Sequence, residues 1–461
     1  MRTKLKAKFF ILLFPIVGFG QTQIGDASNG FDSDTTISLS KDGTVLAVGL
    51  PNSSVNANRS GQVQVYKKTG DIWKLTESLN GEEAGEQFGS TISLNADGSI
   101  LAVGVHKKEV NWKYQGQVRV YKNTMDVWTQ IGDSFNEVGT SDRLGYTISL
   151  NADGSTLVIG SDTGNIVYKN STGVWRQIGD KISSEYSTNS LSSDGHVLAI
   201  GNPSESSSNF SGVVRVYANI AETWTQIGKN IYGKKKQNDR FGEIGYKVLL
   251  SHDGTTLATL SDYGTSIAKV YRNISGTWVQ LGTDIQHENI ANNSYASLSD
   301  DGTVLAFTAP SIRENSSHVI IYKYTAGAWT QIGKNIFAEN KNEITDVLLS
   351  GDGLTLAINS SFSYNNSFRT KIQIFDLSST LGTDRSETIA AVLYPNPASQ
   401  LITLDLQKNV QLKEVNIYDV LGKLIKPAKK NVIDVSTLSS GTYFFEIITD
   451  KGKTTKTVLK N

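Results

Sequence analysis

The chain contains no cysteine. That excludes disulfides, thiolate metal sites and a cysteine nucleophile, while leaving the compartment open because exported bacterial proteins often carry none. An excess of either charge is also lacking: 44 Lys plus Arg balance 44 Asp plus Glu, so no global field draws the chain to nucleic acid or to an anionic membrane. Histidine is scarce. His106, His196, His252, His287 and His318 show no H-x-H, H-x-x-x-H or H-E-x-x-H spacing, and a zinc site has no local support. The G-x-S-x-G elbow, the P-loop and the dinucleotide fingerprint are all missing, so no catalytic residue is assigned. Long apolar runs are missing too, with one exception at the N-terminus.

That exception reads as a secretory signal peptide. Arg2, Lys4, Lys6 and Lys8 precede the apolar residues 9–17, and Gly18-Phe19-Gly20 supplies small residues for cleavage after Gly20. The run is too short for a comfortable permanent anchor, so the mature chain is expected to have no transmembrane segment.

What is abundant is one hairpin pattern. Residues 91–104, TISLNADGSILAVG, join two apolar alternations through an Asp-Gly turn, and the pattern recurs at 37–49, 148–160, 189–201, 248–260, 297–308 and 347–359. The Asp-Gly pairs begin at Asp42, Asp97, Asp153, Asp194, Asp253, Asp301 and Asp352, a period that signals a repeat architecture. Each hairpin except the last is followed by a second, such as 116–121 (GQVRVY) with 127–132 (VWTQIG). Four antiparallel strands, A to D, repeated seven times without helical periodicity predict an all-β chain folded as a seven-bladed β-propeller. Tyr66, Tyr121, Tyr168, Tyr217, Tyr271, Tyr322 and Phe375 of strand C, with Trp73, Trp128, Trp175, Trp224, Trp278 and Trp329 of strand D, are expected to pack between blades.

The seventh repeat lacks strand D. Residues 22–26 (TQIGD) repeat 129–133, so an N-terminal strand is expected to complete the last blade and close the ring. Phe88-Gly89, Leu144-Gly145 and Phe241-Gly242, standing before their hairpins, make residues 21–377 resemble the FG-GAP-like propeller family, related in pattern to integrin α-subunit propellers. Calcium-binding members of that family carry several oxygen ligands in a D-x-D-x-D-G loop, whereas these turns offer mostly one carboxylate, as in Asn95-Ala96-Asp97-Gly98. Each Asp is therefore read as a turn former that bonds local amides. Calcium is the alternative reading, and neither cofactor nor metal ligand is predicted.

Residues 378–391 read as a polar linker, and 392–461 as a small Ig-like β-sandwich of short alternating strands. Here Leu393-Tyr394-Pro395-Asn396-Pro397-Ala398, residues 415–423, Leu438-Ser439-Ser440-Gly441-Thr442-Tyr443 and residues 456–460 occur in order. They resemble the type A C-terminal sorting domain of the type IX secretion system. The resemblance implies Pro395, Asn396, Pro397, Gly441 and Tyr443 as motif residues, the type IX machinery as partner, release or surface display as destination, removal of the domain, and attachment to surface lipopolysaccharide in many members.

Function is expected on the longer connections, B-to-C and D-to-A, which share one face: 50–60, 105–115, 202–211, 229–243 and 360–370. Trp112 and Tyr114 among Lys107, Lys108 and Lys113 form the first candidate ligand site, and Tyr232 with Lys234, Lys235 and Lys236 the second. The favoured expectation is a secreted or surface binding or adhesion module for a glycan or protein. The alternative is an extracellular hydrolase or lyase acting on a polymer.

Overall fold

The Asp-Gly turn sets the local geometry of the repeat. In all seven copies the Asp carboxylate accepts the N–H two residues on, from Thr44, Ser99, Ser155, His196, Thr255, Thr303 and Leu354, at 2.8–3.0 Å. The side chain that opens the turn (Ser40, Asn95, Asn151, Ser192, Ser251, Ser299 or Ser350) accepts the first N–H of strand B at 2.8–2.9 Å. The glycine that follows Asp is left-handed, with φ from 67° to 73°. It also lies against the preceding sheet: a Cβ on Gly98 would come within 2.5 Å of Val45 Cβ.

The computed structural model describes residues 21–24 and 34–461, apart from 71, 107–108, 111–112, 137–141, 207–209, 235–243, 261–266, 287–294, 312–315, 339–342, 365–366, 382–390, 407–409, 420–422 and 450–451. It divides into two compact units, residues 1–377 and 378–461. The signal-peptide reading of residues 1–20 lies outside the described residues.

In the first unit the described residues form seven antiparallel sheets, each with a four-strand path, and one two-stranded hairpin. The second is representative: Thr91–Leu94 (A), Ile100–Gly104 (B), Gln117–Thr124 (C) and Val127–Gln130 (D). Each A strand lies beside the A strands of its neighbours, and Glu343–Leu349 of the last sheet lies beside Thr36–Leu39 of the first. The circle closes in a belt of backbone hydrogen bonds. Lys41 N–H donates to Ala96 C=O (2.8 Å), Ala96 to Ala152 (3.0 Å), Ala152 to Ser193 (2.9 Å), Ser193 to His252 (2.9 Å), His252 to Asp300 (2.8 Å), Asp300 to Gly351 (2.8 Å) and Gly351 back to Lys41 (2.7 Å).

Cores lie between sheets, as the alternation requires. Leu46, Val48 and Tyr66 of the first sheet pack with Ala357, Ile372 and Ile374 of the last, and Val63 and Val65 pack with Leu101, Val103 and Trp128 of the second. Toward the outside, the indole N–H of Trp175 donates to Ile131 C=O of the preceding sheet at 3.2 Å; Trp278 and Trp329 repeat this on Ile227 and Leu281. The glycine of WTQIG makes room, since a Cβ on Gly132 would sit 2.8 Å from the Trp175 ring. That left-handed glycine also interrupts strand D, whose second piece, for example Phe135–Asn136, pairs with the other end of strand C.

The N-terminal strand Gln21–Ile24 pairs antiparallel with Ser367–Asp376 and completes the last sheet. Its register departs from the motif. In the second sheet Tyr121 faces Gln130, which makes Gln23 the motif partner of Phe375, yet Phe375 faces Gln21. A two-residue shift preserves the side-chain faces, so the hydrophobic pattern does not forbid it.

Two further expectations change. Phe241-Gly242 lies outside the described residues; Ile244-Gly245 holds the position of Phe88-Gly89, because Gly245 C=O accepts from Thr188 Oγ1 as Gly89 C=O accepts from Thr36 Oγ1. The segments 202–211 and 360–370, read as loops, largely continue as strands: Val197–Ser206 with Phe210–Ile220, and Thr355–Tyr364 with Ser367–Asp376.

The second unit opens on a helical turn, Ser378–Leu381, inside the expected linker. Two antiparallel sheets follow. Ala391–Tyr394, Leu401–Leu406 and Val432–Asp434 form the first, and Leu424–Ala428, Leu412–Tyr418, Gly441–Thr449 and Gly452–Lys460 the second, around Ile402, Leu404, Val415, Ile417, Phe445, Ile447 and Val458.

Two outcomes are expected. Deleting residues 21–24 removes the last sheet's fourth strand, and with it a few ladder bonds at about 1 kcal/mol each, so the ring's melting temperature falls in a thermal scan. Acid acts on the turns. Burial pushes the carboxyls of Asp97, Asp153, Asp253 and Asp301 up, but the hydroxyl and amide hydrogen bonds they accept outweigh it and hold them below the ordinary value. A carboxyl held low stabilises the fold above its unfolded value, about 3.9, and that contribution is lost as pH falls through the lower folded value. Unfolding midpoints should therefore drop below about pH 4, less steeply when Asp153→Asn and Asp253→Asn remove two of these acids.

Candidate ligand-binding face

The B-to-C and D-to-A connections share one face because strand direction alternates. On it Arg143 and Tyr186 sit in D-to-A connections with φ of 43° and 47°. Such a backbone costs a non-glycine residue about 1–2 kcal/mol. Local bonds hold it: Arg143 N–H donates to Tyr114 C=O, and Tyr186 N–H to Asp162 C=O, both at 3.0 Å.

Beneath them lies a polar foundation. Asp142, 4% exposed, accepts from Ser161 Oγ (2.9 Å), Thr163 Oγ1 (2.7 Å) and Lys181 Nζ (2.8 Å) through one carboxylate oxygen, and its C=O accepts the Asp162 N–H at 2.9 Å. Asp162 in turn accepts Arg143 Nε on both oxygens, at 3.0 and 2.8 Å. That hydrogen bonding raises the guanidinium pKa further, so the charge is permanent.

The Arg143 guanidinium carbon stands 5.1 Å from the Tyr146 ring centroid and 6.0 Å from that of Tyr186, within cation–π range. Tyr146 meets the His106 ring edge-on at 5.7 Å. Tyr186 is 51% and Tyr146 36% exposed, so the rings keep surface open while the backbone beneath them is fixed. Flat aromatic surface beside a fixed cation can stack on the apolar face of a sugar or anchor a protein side chain, and it favours ligands carrying acidic groups.

The sequence candidates fall out unevenly. Tyr114 is 49% exposed at the end of a short hairpin, Glu109–Val110 with Lys113–Tyr114, and its carbonyl ties it to Arg143. Lys113 shares that strand, while Trp112, Lys107 and Lys108 lie outside the described residues. Tyr232 is exposed on Ile231–Lys234 of the fourth sheet, its hydroxyl accepting from Asn230 Nδ2 at 2.8 Å; Lys234 is exposed there, and Lys235 and Lys236 lie outside the described residues. Sequence reasoning missed Arg143, Tyr146, Tyr186 and Asp162. The signal was available in the residues just before each A strand, where Arg143-Leu144-Gly145-Tyr146 replaces Gln87-Phe88-Gly89-Ser90.

Polar side chains also converge on the belt at the opposite, turn-bearing end. Lys41 Nζ donates to Asp300 Oδ1 at 2.6 Å, and His252 Nδ1 stands 3.8 Å from Asp300 Oδ2. Gly351 leaves the room, since a Cβ there would come within 2.2 Å of Asp300 Oδ2. Among the described residues no group of three or more His, Asp or Glu is placed to hold a metal ion.

In the second unit, the motif residues act structurally. Asn396, between Pro395 and Pro397, donates to Thr457 C=O (3.0 Å) and accepts Leu459 N–H (2.8 Å), tying the last strand. Gly441 opens the strand Gly441–Thr449, and the Tyr443 hydroxyl donates to Ser439 C=O at 3.0 Å.

The fold is that of a β-propeller protein. The chain superposes on the β-propeller domain of Myceliophteria thermophila Cps50 (Swd1) with a TM-score of 0.53 and 11% identity, over 77% of this chain and 99% of that one. A comparison with Kuenenia stuttgartiensis hydrazine synthase gives a TM-score of 0.48 and 15% identity, over 72% and 94%. No curated protein matches the chain. Residues 392–461 match the family described as a secretion system C-terminal sorting domain, which marks the protein for type IX export to the cell surface or the medium. No described helix is long and apolar enough to cross a membrane.

The two kinds of aromatic should separate in unfolding experiments. Tyr146→Ala and Tyr186→Ala, at open positions, are expected to change stability by under about 1 kcal/mol. Trp128→Ala, at 7% exposure in the core between the first two sheets, is expected to cost about 3–5 kcal/mol in urea unfolding.

Proposed function

We propose that this chain is a secreted or cell-surface binding or adhesion module whose ligand is a glycan or a protein, taken up on the loop face around Arg143, Tyr146 and Tyr186. The observation that carries the reading is the Arg143 guanidinium within cation–π range of two partly open tyrosine rings, with Arg143 and Tyr186 on left-handed backbone. A strained, exposed and internally braced cluster is costly to keep and is the kind of feature binding sites retain. Tyr114, joined to Arg143 through its carbonyl, extends the same surface.

The ring is read as a seven-bladed, FG-GAP-like propeller closed by its N-terminal strand, with Phe88-Gly89, Leu144-Gly145 and Ile244-Gly245 doing equivalent backbone work. The C-terminal unit is read as an Ig-like sandwich that engages the type IX machinery, with lipopolysaccharide attachment as one destination. No cofactor is proposed, because each turn carboxylate is engaged by its own turn amide. A hydrolase or lyase acting on an extracellular polymer is the second reading, favoured by the meeting of Asp300, Lys41 and His252 on the belt.

The mature chain should be screened against glycan and host-protein arrays, with Tyr146→Ala/Tyr186→Ala beside it. The double variant is expected to lose at least about tenfold in affinity, or 1.4 kcal/mol, for whatever the parent retains, with its melting temperature unchanged. Undiminished binding by the folded double variant would remove this face as the site. Cleaved polymer, lost in Asp300→Asn, would favour the second reading.

A further inference from the structure

Strand A opens with the same residue in the first four sheets. Thr36, Thr91, Thr147 and Thr188 each face the glycine near the end of strand B: Gly49, Gly104, Gly160 and Gly201. A Cβ on any of those glycines would stand 2.0–2.4 Å from the paired threonine's hydroxyl or from the next sheet's backbone. The hydroxyls are engaged. Thr36 Oγ1 donates to Gly89 C=O (2.9 Å), Thr91 Oγ1 to Gly145 C=O (2.6 Å) and Thr188 Oγ1 to Gly245 C=O (3.2 Å), while Thr147 Oγ1 accepts from Asn189 Nδ2 (2.7 Å).

The last three sheets depart from this pattern together. Lys247 faces Leu260, the C=O of Tyr295 accepts the Thr308 N–H at 2.9 Å, and Asp346 faces Asn359. Two residues further on, Leu249 and Leu348 replace the serine that Ser297 keeps. Strand A starts at the loop face, so these residues stand at that end of three adjoining innermost strands. Strand B covers one edge of each A strand and the neighbouring sheets cover its faces. The solvent that the half-buried Lys247, Leu249, Tyr295, Asp346 and Leu348 meet is therefore that of the axial channel.

Opposite charges converge there. Burial pushes the Asp346 carboxyl above its ordinary value, against the pull of the Lys247 ammonium and of the Val347 N–H, which donates to Oδ1 at 2.9 Å. Lys247 acts on Asp346 by charge alone, with no hydrogen bond between them, and a group can stand between the two. A lone anion would be repelled by ionised Asp346 and a lone cation by Lys247, whereas a ligand with both charges a few bonds apart pairs with each. An apolar wall with a few convergent polar groups is the ordinary make-up of a small-molecule site.

We propose that the loop-face mouth of the axial channel, edged by Lys247, Tyr295 and Asp346 above Leu249 and Leu348, binds a free α-amino acid with an apolar side chain. Its ammonium pairs with Asp346, its carboxylate with Lys247, and its side chain lies toward the leucines. The site is separate from the Arg143 cluster and does not rest on the ligand read there.

The probe is L-leucine, titrated calorimetrically into the chain as secreted. Saturable binding is expected, weaker by at least about tenfold for isocaproate, which lacks the ammonium, and for isoamylamine, which lacks the carboxylate. Asp346→Asn and Lys247→Met, which keep side-chain volume, should lose a similar factor with the parent's melting temperature. So should Lys247→Thr/Asp346→Thr, which restores the residue used in the first four sheets. Tyr146→Ala/Tyr186→Ala should bind leucine as the parent does. Absence of leucine binding by the folded parent would overturn the proposal, as would parental binding by the folded Lys247 and Asp346 variants. Isocaproate or isoamylamine bound as tightly as leucine would overturn it too.

Discussion

The first unit depends on the hydrogen-bonded belt of residues Lys41, Ala96, Ala152, Ser193, His252, Asp300 and Gly351. Each belt residue stands immediately before an Asp-Gly pair, so the turn that reverses strand A into strand B also sets the amide and carbonyl that link neighbouring sheets. Turn formation and ring closure are thus one constraint. A second connection runs alongside it at five seams, where a serine hydroxyl of one A strand accepts a leucine N–H of the next: Ser38 from Leu94, Ser93 from Leu150, Ser149 from Leu191, Ser190 from Leu250 and Ser297 from Leu349. Leu249 and Leu348 hold the serine position at the other two seams. The belt is the linkage common to all seven.

The rest of the unit answers to that ring. With the inner strands fixed in a circle, sheet edges are buried or paired on the inside, and the outer strands must be covered to avoid aggregation. The tryptophan-over-glycine contacts, such as Trp175 above Gly132, lock adjacent D strands, and Gln21–Ile24 supplies the strand that the last repeat lacks. A braced ring then serves as platform. Arg143 and Tyr186 can hold left-handed backbone on the loop face because Asp142, next to Arg143, and Asp162, in the adjoining B-to-C connection, leave little freedom beneath them.

Much of this was legible in the sequence. Asp-Gly turns between apolar alternations, their period and the orphan TQIGD fixed the four-strand repeat and the need for N-terminal closure, since these features follow from local turn chemistry and side-chain period. The two-residue register of Gln21–Ile24 was not legible, because a shift by an even number keeps every side chain on its face. The extended hairpins at 202–211 and 360–370 carry Ser, Asn and Phe in place of β-branched residues, so composition alone read them as loops. The ligand-face cluster escaped for a different reason. Its members come from 142–146, 161–163 and 181–186, and the strand pairing of the third sheet brings those segments together, whereas Trp112 and Tyr114 drew attention through being close in sequence.

Native-state hydrogen exchange at the seven belt amides tests the central claim most directly. If the belt is the shared constraint, the amides of Lys41, Ala96, Ala152, Ser193, His252, Asp300 and Gly351 should exchange slowly and with one common opening free energy, reached only when the ring opens as a whole. Exchange at several of them as fast as at the exposed C-to-D turn amides, for instance Asp126 or Glu222, with the A and B strands still protected, would contradict it.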